Sequence, residues 1–335
     1  MDTTISVPLS VLDLVRSSKH EDLREGFERS RRLAQTADKN GYTRLWYAEH
    51  HNMREVLSSA TSLLIQYIAS NTERIRVGAG GVMLPNHSPL VIAEQFGTLE
   101  TLYPGRIDLG LGRAPGTDQN TMRALRRTGA EAERFPSDVL ELNGYLTGNT
   151  SIPGVYAYPG HESNVPLWIL GSSMFGATLA AQLGLPYAFA SHFAPQMLSQ
   201  AAKAYRENFN AEDSLLGPDA KPHFMAAANV FVHDDPELAR DQKHKAENAL
   251  IKQFLGKGRD LAADEVEMLR DHPAGQQILD MFSVAVAGTR EDAAQWLNSF
   301  AQDVQADELM LVAQAPDEAV RHRTLELLAP TPATA

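Results

Sequence analysis

The fold is decided by residues 75–112, which read IRVGAGGVMLPNHSPLVIAEQFGTLETLYPGRIDLGLG. Short apolar runs at 75–82 and 107–111 are typical of buried strands. Between them, Ser88-Pro89 has the chemistry of a helix N-terminus, and the helical pattern stops at Pro104-Gly105. A strand, a helix and a second strand in this order form a unit whose strands lie parallel in one sheet.

The same alternation runs through the rest of the chain. Further strands are predicted at 5–11, 44–48, 165–170, 187–190, 224–232 and 309–312. Helical patterns follow the strands, among them 174–183 and 290–303. A long insertion at 114–164 contains helical patterns near 118–128 and 136–147, and an acidic helical insertion covers about 235–283. The pattern predicts an α/β protein, a single-domain (β/α)8 barrel over 1–335 with insertions after strands 4 and 7. A doubly wound open sheet is the rival, but it usually has fewer strands and a phosphate loop after the first.

Composition narrows the function classes. The net charge of −12 disfavours a nucleic-acid partner, because such binding needs clustered Lys and Arg. The 335-residue chain has no cysteine, which excludes disulfides and thiolate metal sites and fits a reducing compartment. No apolar run reaches the ~18 residues of a membrane span, and residues 1–9 do not form a signal peptide. We therefore expect a cytoplasmic protein that binds neither membrane nor nucleic acid.

Polar and glycine residues concentrate where the predicted strands end. In a (β/α)8 barrel, reactive groups lie just beyond the carboxyl ends of the strands. Five of these ends carry unusual residues, which are Glu49-His50-His51, Gly80-Gly81, Arg113, Gly171-Ser172-Ser173 and Ser191-His192. The sequence therefore predicts a functional site at this mouth of the barrel.

The adjacent histidines have different expected roles. Neighbouring strand residues point to opposite faces, so His50 and His51 should not share one ligand, and no metal site is expected. We favour His50 as the ring that faces the barrel axis, and a structural hydrogen bond for the other. Gly80-Gly81 indicates either a packing bulge or the close approach of a flat ligand.

Arg113, Ser172 and Ser173 favour an anion site. Arg113 could form a surface salt bridge, and a lone serine there could be an ordinary helix N-cap. Taken together on adjacent strands, a guanidinium and two hydroxyls at a helix N-terminus suit the phosphate of flavin mononucleotide (FMN). The glycines of 110–116 miss the dinucleotide-binding spacing, so a Rossmann interpretation is weak.

Four stretches together resemble the bacterial-luciferase-like flavin-dependent monooxygenase family, namely 46–51, 77–85, 105–113 and 169–173. The resemblance implies an FMN-dependent oxidoreductase of monooxygenase type, which uses reduced FMN and O2 to oxygenate a small organic substrate, with an aldehyde as the family-level expectation. It also implies a separate flavin reductase as partner and, by analogy, a homo-oligomer. Family barrels that use a deazaflavin share parts of this scaffold.

The family's functional residues can be carried over by position. The catalytic histidine falls on His50, and the non-prolyl cis peptide beside the flavin ring falls on Gly80-Gly81, which follow Ala79. The phosphate contacts fall on Arg113, Ser172, Ser173 and Met174.

Two positions limit the resemblance. Some family members have a second arginine that contacts the phosphate. Arg134 lies near that position, but the resemblance does not assign it this role. The reactive cysteine of light-emitting luciferases is replaced by Gly112, so light emission is not implied. The alternatives are an NAD(P)H-dependent flavin reductase or dehydrogenase, and a flavin-binding protein without catalysis.

Overall fold

The computed structural model describes residues 4–17, 21–114, 116–256, 258–259 and 261–330, so the ends of the predicted 1–335 domain lie outside the described residues. Its strands are β1 (Leu9–Asp13), β2 (Arg44–Tyr47), β3 (Arg76–Met83), β4 (Ile107–Gly112), β5 (Leu167–Gly171), β6 (Tyr187–Phe189), β7 (Phe224–Val232), β8 (Ala285–Gly288) and β9 (Glu308–Val312). The order β1-β2-β3-β4-β5-β6-β7-β9 closes on itself because β9 pairs with β1, all in parallel. The predicted (β/α)8 barrel is confirmed.

Helices surround the barrel. They are α1 (Leu23–Lys39), α2 (Thr61–Ala69), α3 (Pro89–Leu102), α4 (Gln119–Ala124), α5 (Phe135–Thr147), α6 (Met174–Leu183), α7 (Leu198–Glu207), α8 (Pro236–Leu255), α9 (Ala263–Asp271), α10 (Pro273–Met281), α11 (Arg290–Asp303) and α12 (Glu318–Leu327). The insertion after β4 holds α4 and α5, and the one after β7 holds α8, α9 and α10. No helix in the described part of the chain is both long and apolar enough to cross a membrane.

The structure corrects two boundaries and adds one strand. β1 begins at Leu9 and not at residue 5, directly after Pro8, which has no N–H to give to a sheet. The helix predicted at 118–128 is only Gln119–Ala124. A short strand that the sequence did not indicate, β8, pairs with Asn229–Val232 at the outer end of β7. Its residues Ala-Val-Ala-Gly are too few and too small to give a clear strand pattern.

The barrel interior and the layer under the helices form separate apolar cores. Trp46 on β2 and Ala48 just after it belong to the interior core, whereas Leu45 and Tyr47 pack under the helices. This alternation follows from the two-residue period of a strand. It places His50 in phase with the interior-facing residues.

Charged side chains close the amino-terminal end of the barrel. We call Arg44, Arg76, Asp108 and Glu308 the floor network. Arg44 lies 2.8 Å from the Asp108 carboxylate and 2.9 Å from that of Glu308. Arg76 lies 2.6 Å from Asp108, which also accepts a 3.0 Å hydrogen bond from the Trp46 indole. Both carboxylates are 1% exposed or less, Arg44 is buried and Arg76 is half-buried, so the charges of the network are paired and mostly withdrawn from water.

Candidate active site

A cavity of about 710 Å³ opens at the carboxyl ends of the strands. Its wall includes most of the residues that the sequence singled out, namely His50, Gly80, Gly81, Arg113, Ser172 and Ser173. These residues come from the ends of β2, β3, β4 and β5. The structure therefore brings the predicted groups together at one mouth of the barrel.

Arg113 lies beside the N-terminus of α6. Its guanidinium carbon is 4.1 Å from the ring centroid of Phe175, in the first turn of that helix, and its Nε donates to the carbonyl of Ala132 at 3.1 Å. Among the described residues, no carboxylate oxygen lies within 4.0 Å of the Arg113 guanidinium, so Arg113 forms no ion pair with them. The surface salt bridge is thus not what holds this side chain.

The serines before α6 are not used as ordinary caps. Ser173 occupies the N-cap position in extended conformation, with φ −147° and ψ 169°, but its hydroxyl makes no capping hydrogen bond. The first N–H groups of an α-helix lack intrahelical partners and carry partial positive charge. An uncapped helix start next to an arginine is suited to bind an anion.

His50 faces the cavity and is largely withdrawn from water. Burial lowers its pKa below the ordinary 6.5, and the positive charge of Arg16 lowers it further. A hydrogen bond to the backbone of Gly116 and the charge of Glu49 act in the opposite direction. At neutral pH the ring is therefore mainly neutral, able to accept a proton or a hydrogen bond.

His51 points away from the cavity, as the strand alternation predicted. Its Nε2 lies 2.7 Å from Oε1 of Glu49, and Nε2 of His87 lies 2.8 Å from the same oxygen. The other carboxylate oxygen accepts the Met83 N–H at 3.2 Å. Burial raises the pKa of Glu49, but the two imidazole hydrogen bonds outweigh this and hold it at about 2.

Glu49, His51 and His87 offer ligand atoms within 4.8 Å of one another. Glu49 and His51 are two residues apart and share a face, so this pair, and not the adjacent His50 and His51, has the spacing of a ligand pair on a strand. Ligand atoms about 2.0–2.1 Å from a tetrahedral zinc lie roughly 3.3 Å apart. The 2.7 and 2.8 Å separations here are hydrogen-bond lengths. The geometry thus favours a hydrogen-bonded cluster, and the absence of a metal site stays a prediction.

The glycine pair is both a bulge and part of the cavity wall. The Gly80–Gly81 peptide bond is cis, as the resemblance implied, and the β3–β4 register shifts between Ala79 and Val82. A Cβ on Gly81 would lie 2.7 Å from the carbonyl oxygen of Gly110, and one on Gly80 would lie 3.0 Å from Cβ of Trp46. Packing inside the barrel therefore requires glycine at Gly81 and favours it at Gly80.

Three positions from the resemblance lie elsewhere. Ala79 is fully buried in the core, and Met174 packs against that core without lining the cavity. Arg134 forms a 3.2 Å ion pair with Asp138 and does not line the cavity either. The structure does not bring the side chains of these three residues to the site.

His192, after β6, lines the cavity three strands along the barrel from the glycine pair, and the sequence pattern assigned it no specific role. It is 7% exposed, and no group in the described part of the chain hydrogen-bonds its Nδ1. Burial lowers its pKa to about 3, helped by the charges of Arg16 and His50. Its position directly after a barrel strand indicated that His192 could belong to the site. The sequence could not show that its Nδ1 lacks a hydrogen-bond partner among the described residues.

The insertion after β7 supplies an apolar wall. Leu250 and Phe254 from α8, Ile278 and Met281 from α10, and Phe282 line the cavity, together with Phe193 after β6. Apolar walls exclude water from a bound ligand. The outer part of the cavity is thus suited to an apolar group.

Comparisons with known proteins show the family of this chain. Residues 7–327 match the model of the luciferase-like monooxygenase family, to which the chain belongs. A luciferase-like monooxygenase of Escherichia coli (strain K12) is 44% identical over 97% of both chains. The crystal structure of apo-MsnO8 has a TM-score of 0.84 and 31% identity, and covers 98% of this chain and 100% of that one. The oxygenating constituent of 3,6-diketocamphane monooxygenase from Pseudomonas putida, solved in complex with FMN, shares the fold with a TM-score of 0.74, 15% identity and 97% coverage of both chains.

Proposed function

We propose that this protein is an FMN-dependent monooxygenase that uses reduced FMN and O2 to oxygenate a small organic substrate, an aldehyde among the candidates. A separate flavin reductase would supply the reduced cofactor. The observation that carries the proposal is the placement of Arg113 beside the uncapped N-terminus of α6, in the same cavity as His50 and Gly80-Gly81.

The residues present fit the cofactor. Arg113, Ser172 and Ser173 would hold the phosphate, because a guanidinium, two hydroxyls and free helix N–H groups all favour an anion. The isoalloxazine ring would lie against Gly80-Gly81, where no side chain projects between the backbone and the cavity. The FMN complex of a protein with the same fold supports this choice of cofactor.

Reduced FMN, when bound, supplies the electrons that reduce one oxygen atom to water while the other passes to the substrate. His50, mainly neutral because burial lowers its pKa, would accept a proton from the reacting groups or hold a hydrogen bond to them. Phe193, Phe254 and Phe282 would keep bulk water from the reaction, which limits wasteful side reactions.

The test is a titration with FMN and with riboflavin, which lacks the phosphate. Arg113→Ala should weaken FMN binding by roughly 10–100-fold, since a charged hydrogen bond contributes about 1.5–3 kcal/mol. Its riboflavin affinity should stay close to that of the wild type. Arg134→Ala is the matched control, because Arg134 pairs with Asp138 outside the cavity, and it should bind FMN normally.

Equal FMN affinity in the wild type and Arg113→Ala would refute the phosphate assignment. A parallel loss of riboflavin binding would instead place Arg113 against the ring. A direct NAD(P)H-dependent reductase or dehydrogenase is the alternative reaction, and it predicts that the purified protein with FMN oxidises NAD(P)H without a partner. A non-catalytic flavin-binding protein predicts no oxygenated product even when reduced FMN is supplied.

A further inference from the structure

A second arginine, Arg16, lines the same cavity from the end of β1. Its Nε donates to Oε1 of Gln314, after β9, at 3.0 Å. Gln314 in turn donates to Oδ1 of Asn229 at 2.7 Å, and Asn229 donates to the carbonyl of His192 at 2.7 Å. This chain of hydrogen bonds holds the Arg16 guanidinium through its Nε.

The guanidinium of Arg16 forms no direct ion pair with a described residue, although the charges of Asp13 and Glu55 act on it. Within the described residues, no carboxylate lies within 4.0 Å of its guanidinium. The neighbouring acid, Asp13, is engaged by Arg321 at 3.1 Å. Burial and then the charge of Arg321 lower the pKa of Arg16, and the charges of Asp13 and Glu55 only partly offset them. An arginine stays charged at neutral pH. A cation withdrawn from water without a hydrogen-bonded anion is unfavourable, and an anionic ligand would relieve that cost.

Arg16 is on the wrong side of the barrel to hold the same phosphate as Arg113. β1 is four strand positions from β5 in either direction, through β2, β3 and β4 or through β9, β7 and β6. The proposed phosphate site lies at the ends of β4 and β5, with the proposed ring site on β3 between them and β1. Arg16 therefore belongs to the part of the cavity left for a substrate, next to His50 and His192, whose titration its charge affects.

The rest of that part of the cavity is mainly apolar, with Gln253 of α8 as a neutral polar group. The apolar lining residues are Leu12 on β1, Leu14 just after it, Met53 and Val56 after β2, and Leu250 and Phe254 on α8. A single cation in such surroundings suits a ligand with one anionic end and an apolar body.

We propose that Arg16 anchors a carboxylate on the substrate, whose apolar chain lies against the wall formed by α8 and α10. This inference rests on the proposed function, since it assigns the substrate's part of the same site. A guanidinium can bind a carboxylate through two parallel hydrogen bonds, which would fix the distance of the substrate's reacting carbon from His50.

The test uses octanoate and its neutral analogue octanamide as probes, titrated calorimetrically into the wild type, Arg16→Gln and Arg16→Lys, with and without saturating FMN. The wild type should prefer octanoate by about tenfold, as expected for one charge-assisted hydrogen-bonded contact. Arg16→Gln should abolish that preference, and Arg16→Lys should restore part of it. FMN affinity should be the same in all three proteins, and FMN should not displace octanoate.

Several results would overturn the proposal. They are equal binding of the two probes by the wild type, no measurable octanoate binding, an unchanged preference in Arg16→Gln, and displacement of octanoate by FMN. If Arg113→Ala removed the preference and Arg16→Gln kept it, the carboxylate site would be the one assigned to the phosphate. Because the titration without FMN is informative by itself, a failure of FMN binding would refute the proposed function and leave this inference to be decided separately.

Discussion

The two ends of the barrel use the same residue types in opposite ways. At the floor, Arg44 and Arg76 are paired with the buried carboxylates of Asp108 and Glu308 at 2.6–2.9 Å. At the mouth, Arg16 and Arg113 have no carboxylate within 4.0 Å among the described residues. A paired buried charge belongs to the folded structure, whereas a cation without a counter-charge in a cavity is available to a ligand.

The histidines show the same contrast. At the floor, His223 lies 3.1 Å from Glu308, and at the rim His51 and His87 share Glu49. His50 and His192, inside the mouth, have lowered pKa values because burial disfavours their charged forms. Contact with a carboxylate therefore separates structural imidazoles from those that can take part in chemistry.

The largest effect is expected at the floor. Asp108→Ala removes a carboxylate that Arg44, Arg76 and the Trp46 indole share. Arg44 keeps Glu308, whereas half-buried Arg76 is left with no carboxylate partner among the described residues. Breaking a buried pair costs about 3–5 kcal/mol of unfolding free energy. Urea denaturation measures this loss of unfolding free energy. A loss below about 1 kcal/mol, which is typical of exposed ion pairs, would mean that the floor arginines are not structurally different from those at the mouth.

His50→Ala should act on turnover and not on binding. Losing a general base or proton acceptor lowers the rate by roughly 10²–10⁴-fold. The assay supplies reduced FMN and O2, with decanal as the probe aldehyde, and follows decanoic acid by mass spectrometry. FMN affinity should not change. His244→Ala, in an exposed residue of α8, serves as the control. Wild-type turnover by His50→Ala would take this residue out of the mechanism.

His192 should make stability depend on pH. Its pKa is about 3 in the folded protein, below its ordinary 6.5, so the unfolded chain takes up the proton first as the pH falls. Its neutral form is therefore fully stabilising above about pH 6.5, and that contribution is lost toward pH 3, by at most ~1.4 kcal/mol per pH unit. His192→Asn should give a flatter profile of unfolding free energy between about pH 7 and 5 than the wild type. Parallel profiles would mean that His192 titrates normally in the folded state.

The smallest effect is expected from Arg113→Ala on stability. An exposed side chain without an ion pair usually changes the unfolding free energy by less than about 0.5 kcal/mol. Differential scanning calorimetry without FMN should therefore give nearly the wild-type Tm. A large drop would make Arg113 structural, like the floor arginines.

Much of the architecture could be predicted because strand and helix periods are local signals. The bounds of β7, α6 and α11 agree with the sequence pattern residue for residue. β8 could not be predicted, since its four small residues become a strand only by pairing with the extended end of β7.

The site was predictable where strand order alone brings residues together. His50, Gly80, Gly81, Arg113, Ser172 and Ser173 share one cavity for that reason. The roles of Arg16 and His192 could not be predicted from the sequence. They depend on the lack of an ion-pair partner for Arg16 and of a hydrogen-bond partner for Nδ1 of His192 among the described residues, which only the folded structure shows. The same holds for His87, which reaches Glu49 from 38 residues along the chain.

The central claim is that the mouth of the barrel holds FMN in one orientation, and a crystal structure of the FMN complex tests it most directly. We expect the phosphate between Arg113 and the hydroxyls of Ser172 and Ser173, with the ring against Gly80-Gly81 and its reactive edge toward His50. A phosphate bound at Arg16, or a ring away from the glycine pair, would contradict both the cofactor assignment and the separate substrate site.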